Sequence, residues 1–187
     1  MIILGIDEAG RGPLAGPVVV AGVIFDENKE NLFQGLTDSK KLSEKKREAL
    51  YSEIIANVKH YAIEEVTVEE IDELNILQAT LLGMKRVADR LSRKFDKALI
   101  DGNKLPQWDY NSEAIVKGDS KIAEISAASI LAKVYRDRLC IEYDSKYPEY
   151  GFAQHKGYPT KLHLEKIAQF GVLDIHRKSY KPVRELL

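Results

Sequence analysis

The chain has 187 residues, 44% of them hydrophobic, which predicts a single domain over residues 1–187 with a substantial core. Its formal net charge of -1 argues against a generally basic surface that would bind polyphosphate, although local Lys and Arg clusters occur. The single cysteine excludes an internal disulfide, and charges or prolines interrupt every apolar run, so we expect a cytoplasmic protein that does not contact membranes.

The N-terminal third predicts strands and one helix. Ile2–Asp7 and Val18–Phe25 are short runs rich in β-branched residues, and a Gly/Pro-rich turn separates them. Ser43 is a candidate N-cap for a helix whose apolar residues recur at helical spacing. Tyr61–Val66 then predicts a further strand.

The middle of the chain predicts two long helices with two strands between them. Apolar residues at helical spacing indicate one amphipathic helix over residues 74–91. Lys97–Asp101 and Ala114–Val116 are short apolar strands. From Lys121 to about Tyr143 the pattern is helical and rich in small side chains, which favours close packing on a sheet.

The C-terminal part predicts an irregular segment and a last helix. Residues Phe152–Pro159 alternate aromatic and basic side chains without regular periodicity, and Thr160 and Gly171 are expected to begin and end the helix. Strands come first as neighbours and later alternate with helices. This order predicts one α/β domain with a mixed sheet flanked by helices.

Four carboxylates lie at the ends of predicted elements: Asp7, Glu8, Asp101 and Asp119. Oxygen ligands of this kind suit a hard divalent cation such as Mg²⁺. Adjacent residues of a strand point to opposite faces, so Asp7 and Glu8 converge only if the chain bends there. Asp101 can equally be a turn residue and Asp119 a helix N-cap, and their spacing does not decide between these roles.

Two further segments are candidates for ligand contact. The backbone of Gly10-Arg11-Gly12 can approach a sugar or phosphate closely, or can form an ordinary turn. No Gly-Lys-Ser/Thr ending follows it, so a nucleoside triphosphate is not implied. Tyr158 can stack on a base or sugar, or can anchor its loop on the core. His155, His163 and His176 are too scattered to indicate a zinc site, and we interpret them as surface or capping residues.

An ordered set of segments resembles the ribonuclease HII family over nearly the whole chain. The segments are IDEAGRGPLAGPVVVAGV, TDSKKLS, NILQATLLGM, LIDGN, KGD, AASILAKVYRDR, HKGYPT and HRKSY. The first is highly specific, whereas LIDGN or KGD alone would be weak. The resemblance implies a ribonuclease H-like mixed five-stranded sheet flanked by helices, with a helical C-terminal part.

The resemblance also implies an activity and its residues. The enzyme would hydrolyse the RNA strand of RNA–DNA hybrids and cut 5′ of single ribonucleotides in duplex DNA, leaving 5′-phosphate and 3′-hydroxyl ends. In this family a two-metal mechanism with Mg²⁺ or Mn²⁺ uses four carboxylates, which here are Asp7, Glu8, Asp101 and Asp119. The backbone of Gly10, Arg11 and Gly12 would sense the 2′-hydroxyl, and Tyr158 would pack at the RNA–DNA junction.

Other implications are less specific. Lys40, Lys41, Asn75 and Gln78 would contact the phosphate backbone, although a solvated turn and a helix cap explain them equally well. The partners would be RNA–DNA hybrid and ribonucleotide-containing duplex DNA, in ribonucleotide removal and RNA primer processing. We expect a monomer.

Three alternatives stay open. Ribonuclease HIII resembles this fold, but it usually carries an extra N-terminal domain and reads Gly-Lys-Gly where this chain has Gly10-Arg11-Gly12. A noncatalytic nucleic-acid binding module would have lost carboxylates that are all present here. A protein whose acids are only structural would show no metal dependence.

Overall fold

A computed structural model describes residues 1–28, 36 and 41–187. The strands are β1 (Ile3–Ala9), β2 (Val18–Ile24), β3 (His60–Val66), β4 (Lys97–Asp101) and β5 (Ser112–Ile115). The α-helices are α1 (Glu44–Asn57), α2 (Val68–Leu74), α3 (Ile76–Arg90), α4 (Ala123–Lys146), α5 (Phe152–His155), α6 (Lys161–Phe170) and α7 (Lys181–Arg184). A 3₁₀ turn, Gly118–Ser120, precedes α4.

The five strands form one mixed sheet in the order β3-β2-β1-β4-β5. Strand β1 pairs antiparallel with β2 and parallel with β4, while β2–β3 is antiparallel and β4–β5 is parallel. Helices cover both faces of the sheet, and the C-terminal part is helical. The predicted fold class is therefore confirmed.

Alternating side chains of β2 build two separate core layers. Val19, Ala21 and Val23 pack with residues of α1 and α4 on one face, whereas Val20 and Ile24 pack with residues of α3 on the other. Full burial of one such aliphatic side chain stabilises a fold by about 1.5–3 kcal/mol. Because the strand alternates with period two, the two faces meet different helices.

Small side chains let α4 lie directly on β1, as the sequence predicted. A Cβ atom added to Gly5 would overlap the backbone of Glu124 at the start of α4. The first turns of α4 bury Ser126, Ala127 and Ala128 against the sheet. This contact fixes the start of α4 close to the carboxyl end of β1.

The predicted caps of two helices are confirmed, and one predicted helix begins later than expected. The side chains of Ser43 and Thr160 accept hydrogen bonds at the starts of α1 and α6. The helix predicted over residues 74–91 is confirmed as α3, but it begins later than predicted, because Asn75, with a φ of 75°, separates it from α2. The segment Phe152–Pro159, predicted to be irregular, begins with the single turn α5.

The C-terminal helices pack beside the Gly/Pro-rich loop between β1 and β2. Leu14 of that loop belongs to one hydrophobic cluster with Ile167 of α6 and Val183 of α7, and Ala15 belongs to another with Phe152 of α5. Among the described residues, no helix is both long and apolar enough to cross a membrane.

Candidate active site

Two of the candidate acids are neighbours because of strand register. The parallel pairing of β1 and β4 aligns Ile6 with Ile100, which places Asp7 beside Asp101 at the carboxyl ends of both strands. Asp7 is opposite Ala21, whose face of the sheet carries α4. The pair therefore lies where the start of α4 covers the sheet.

Asp119 completes a cluster of three carboxylates. It lies in the 3₁₀ turn before α4, where its N–H donates to Oδ1 of Asp101 (3.2 Å) and the hydroxyl of Ser126 donates to its carbonyl. One oxygen from each of Asp7, Asp101 and Asp119 lies within 4.8 Å of the other two. Helix α4 begins at Ala123 without a side-chain cap, so the alternative role of Asp119 as its N-cap is wrong.

Glu8 reaches the same region from the other face of the sheet. Strand β1 stays regular through Ala9, and Glu8 pairs with Val20, whose face carries α3. It is not one of the three acids whose carboxylate oxygens form the close cluster. Its Oε1 lies 3.9 Å from the guanidinium of Arg11, whereas its buried Oε2 has no hydrogen-bond partner among the described residues.

Burial and mutual repulsion raise the pKa values of two of these acids, Asp7 and Glu8. Burial raises the pKa of Asp7 well above its usual value, and the charges of Glu8 and Asp101 raise it further. The N–H of Glu8 donates to Oδ1 of Asp7 (2.8 Å), and this hydrogen bond lowers the pKa of Asp7. Burial also raises the pKa of Glu8, although Arg11 lowers it. Crowded carboxylates with an unsatisfied oxygen fit a divalent cation, because a cation would offset their repulsion.

Gly10 turns the chain from β1 into the loop. Its φ is 94°, and an added Cβ would overlap the side chain of Arg136. Arg136 is buried, and its guanidinium donates to the carbonyls of Ala15 (2.7 Å) and Lys156 (2.9 Å). Together with the bond from the N–H of Leu14 to the carbonyl of Gly157 (2.7 Å), it joins this loop to the segment before Tyr158.

Tyr158 is partly exposed and lies next to Gly12. A Cβ built on Gly12 would lie 3.5 Å from the Tyr158 ring, so a side chain at this position would contact the ring. The carbonyls of Gly157 and Tyr158 each lie 3.0 Å from Nδ1 of His163. The loop is therefore held from beneath while the ring faces outward.

The three histidines of the C-terminal part lie together, so their interpretation as surface or capping residues is wrong. His155, His163 and His176 are all buried. The rings of His155 and His163 stack with centroids 4.0 Å apart, and Nε2 of His163 lies 2.9 Å from Nε2 of His176. They support the Tyr158 loop. They were missed because their contacts join residues far apart in sequence.

One open cavity brings together most of the predicted site residues. It has a volume of about 290 Å³ and is lined by Asp7, Glu8, Gly10, Arg11, Gly12, Asp101, Asp119 and Tyr158, with Ala9, Ser129 and Lys133. The sequence interpretation missed Ser129 and Lys133. Their spacing of four residues on a predicted helix, one turn apart on one face, was the available signal.

The predicted phosphate contacts lie outside this cavity or outside the described residues. Lys40 is among the residues that the structure does not describe, and Lys41 is exposed before α1. The side chain of Asn75 caps α3 by accepting from the N–H of Gln78 (3.0 Å). Gln78 itself lines a neighbouring open groove with Lys85 and Leu105.

Comparison with known proteins identifies the family. The family model for ribonuclease HII matches residues 4–183. Ribonuclease HII of Francisella tularensis subsp. tularensis (strain SCHU S4) is 71% identical over 187 residues, covering 100% of this chain and 99% of the relative.

Solved structures agree with this assignment. The crystal structure of ribonuclease H2 from Pyrococcus horikoshii OT3 has a TM-score of 0.82 at 30% identity, covering 100% of this chain and 97% of that one. Bst-RNase HIII in complex with Mn²⁺ has a TM-score of 0.79 at 15% identity, covering 100% of this chain and 69% of that one, and shares the fold. The chain belongs to the ribonuclease HII family and is a ribonuclease H, an endonuclease among the hydrolases.

Proposed function

We propose that this chain hydrolyses the RNA strand of RNA–DNA hybrids and cuts 5′ of single ribonucleotides in duplex DNA. The observation that carries the proposal is the shared cavity, where the carboxylates of Asp7, Asp101 and Asp119 face the Gly10–Gly12 loop and Tyr158. Groups suited to phosphate chemistry thus lie beside groups suited to ribose contact. In the cell this activity would remove ribonucleotides from DNA and process RNA primers.

Asp7, Asp101 and Asp119, with Glu8 beside them, would hold a divalent metal, Mg²⁺ or Mn²⁺. Bound there, the metal would lower the pKa of water and stabilise charge on the reacting phosphate, giving 5′-phosphate and 3′-hydroxyl products. The unpartnered Oε2 of Glu8 supports this role, because a buried carboxylate oxygen without a donor is otherwise costly. The backbone of Asp119 is held in place, because its N–H donates to Asp101 and its carbonyl accepts from Ser126.

Ribose recognition would come from shape and hydrogen bonding, through the Gly10–Gly12 backbone and the Tyr158 ring that line the same cavity. Gly12 and the Tyr158 ring lie close enough to each other for one sugar to contact both. A 2′-hydroxyl both donates and accepts hydrogen bonds, which a deoxyribose cannot do there. The amides of the loop and the face of the tyrosine would therefore favour a ribonucleotide.

Phosphate contact would use cations around the cavity, which offset the formal net charge of -1. Lys133 lines the cavity while its ammonium pairs with Asp137 (2.9 Å). Lys41 and Gln78 are exposed at a greater distance along the surface, and with Lys40 and Asn75 they remain candidates for contact with the flanking backbone. We expect the protein to act as a monomer.

The proposal is tested on three end-labelled duplexes: one with a single ribonucleotide, one long RNA–DNA hybrid and one all-DNA control. Each is incubated with Mg²⁺, Mn²⁺ or chelator. We expect metal-dependent cutting of the first two and none of the third. Cutting of the long hybrid alone would favour a ribonuclease HIII-like specificity, and equal cutting with chelator would exclude the metal role of the acids.

A further inference from the structure

Arg177 is a fully buried cation whose partners belong to the site loop. Its Nε donates to the carbonyl of Gly16 (2.9 Å), one terminal nitrogen donates to the carbonyl of Gly10 (2.7 Å), and the other donates to the carbonyl of Arg11 (3.1 Å). The second of these nitrogens also donates to the hydroxyl of Tyr180 (3.0 Å). One side chain from the C-terminal part thus holds both ends of the loop.

No ion pair with a carboxylate compensates this cation within residues 1–28, 36 and 41–187. Burial lowers the pKa of Arg177 to about 10, so it stays protonated at neutral pH. Burying a charge is costly unless hydrogen bonds satisfy it, and here backbone carbonyls and one phenol do so. The loop conformation therefore supplies the acceptors that the buried guanidinium needs, and the guanidinium in turn stabilises that loop conformation.

The direction of these carbonyls fixes the direction of the neighbouring amides. The peptide bonds are all trans among the described residues, and in a trans peptide the C=O and the following N–H point in opposite directions. The Gly10 and Arg11 carbonyls point inward to Arg177, so the N–H groups of Arg11 and Gly12 point away from it. Neither N–H donates a hydrogen bond within the described part of the chain, and both residues line the cavity.

Tyr180 reinforces the same arrangement. Its hydroxyl accepts from Arg177 and donates to the carbonyl of Arg11 (2.5 Å). The Arg11 carbonyl therefore receives two donors, which hold its peptide plane against rotation. Loss of either donor would loosen the peptide that carries the N–H of Gly12.

We propose that Arg177, with Tyr180, is a positioning residue that aims the amides of Arg11 and Gly12 into the cavity and so sets the preference for ribose. This inference rests on the proposed function, in which the loop contacts the 2′-hydroxyl. Arg177 does not touch the substrate itself. Its effect is on the ratio between ribose and deoxyribose binding, because only the former offers the hydroxyl that these amides contact.

The test measures the dissociation constants of two duplexes in the presence of Mg²⁺. One is a DNA duplex with a single ribonucleotide, and the other is an all-DNA duplex of the same sequence. An Asp119→Asn background prevents cleavage. Tyr180→Phe and Arg177→Lys are each introduced into this background. Tyr150→Phe is the matched control, because the Tyr150 hydroxyl also donates to a backbone carbonyl, that of Gly171 (2.8 Å). Thermal unfolding shows which variants keep the fold.

We expect Tyr180→Phe to reduce the ribose preference about three- to tenfold, the value of one hydrogen bond, with all-DNA affinity and the Tyr150→Phe control unchanged. Arg177→Lys, which keeps the charge but not the fork of donors, reduces it at least as much if it folds. An unchanged preference in folded Tyr180→Phe overturns this inference alone. Absence of any ribose preference in the Asp119→Asn parent overturns the proposed function and this inference together.

Discussion

His163 and His176 share a direct hydrogen bond between their Nε2 atoms, 2.9 Å apart and buried from solvent. The other nitrogen of each ring decides which one donates. Nδ1 of His163 faces two carbonyls and so must carry a proton, whereas Nδ1 of His176 accepts from the N–H of Leu173 (2.9 Å). Thus His176 donates through Nε2, His163 accepts, and both rings are neutral.

Acid is expected to destabilise the protein through this pair. Burial lowers the pKa of His163 to about 4 and that of His176 to about 3, below the unfolded value of 6.5. The unfolded state therefore binds more protons below pH 6.5, and stability is lost as pH falls toward the folded pKa values. Each histidine should lower the free energy of unfolding by on the order of 2 kcal/mol between pH 6.5 and 5.

Urea unfolding between pH 7.5 and 5 checks this expectation. The raised pKa values of Asp7 and Glu8 act with the opposite sign, because the folded state takes up protons there. The histidine contribution is therefore isolated by comparing the pH slope of the chain with that of His176→Asn, which should be shallower. Equal slopes would show that the pair does not stay neutral in the folded protein.

Gly10→Ala should destabilise the fold and reduce cleavage. The substitution places a side chain at φ 94° and against Arg136, which joins the loop to the Tyr158 segment. Strain of this kind costs about 1–3 kcal/mol, to which the overlap adds. Gly171→Ala is a matched control, since its φ is 100° but no atom of the residues that the structure describes lies within 4 Å of an added Cβ. Equal losses of unfolding free energy would mean that the overlap with Arg136 is relieved at no cost.

Asp7→Asn or Asp119→Asn should lower cleavage on the order of a thousandfold, because each removes a charge that would hold the metal. The fold should survive. In chelator, Asp7→Asn should even raise the thermal midpoint, because a carboxylate with a raised pKa destabilises the fold when it is charged. Steady-state cleavage of the one-ribonucleotide duplex checks the activity, with the exposed Asp109→Asn as control. Full activity in either variant would remove that carboxylate from the mechanism.

Mg²⁺ or Mn²⁺ should stabilise the folded protein in the absence of any substrate. At about 100 times the dissociation constant, the expected rise of the thermal midpoint is on the order of 5 °C. Asp101→Asn should abolish the rise, because its carboxylate oxygen is one of the three that lie within 4.8 Å of one another. Glu73→Gln, on the exposed surface of α2, should keep it. A metal-induced rise that persists in Asp101→Asn would place the binding site elsewhere.

Local patterns in the sequence predicted most of the fold. Ser43 and Thr160 are caps because a side-chain oxygen meets an N–H three residues later, which depends only on neighbours. The break at Asn75 was missed because apolar spacing continues across it, and the break depends on a backbone angle. Periodicity reports which face is buried, not whether the helix is continuous.

The acids of the site could be predicted from the sequence, whereas the residues that hold its loops in place could not. Asp101 was recognisable at the end of an apolar strand, whereas its place beside Asp7 depends on the register between two strands distant in sequence. Arg177 and His163 act through contacts with segments remote in the sequence. The residues next to them in the sequence do not indicate these partners. Groups of this kind emerge only from tertiary structure.

The most direct test of the account is single-turnover cleavage of a DNA duplex that contains one ribonucleotide, with products resolved to the nucleotide and their ends identified. We predict one metal-dependent cut on the 5′ side of the ribonucleotide, leaving a 3′-hydroxyl and a 5′-phosphate, with the all-DNA duplex intact. No cut by the folded, metal-loaded protein, or an equal cut in the all-DNA duplex, would contradict ribose-directed cleavage.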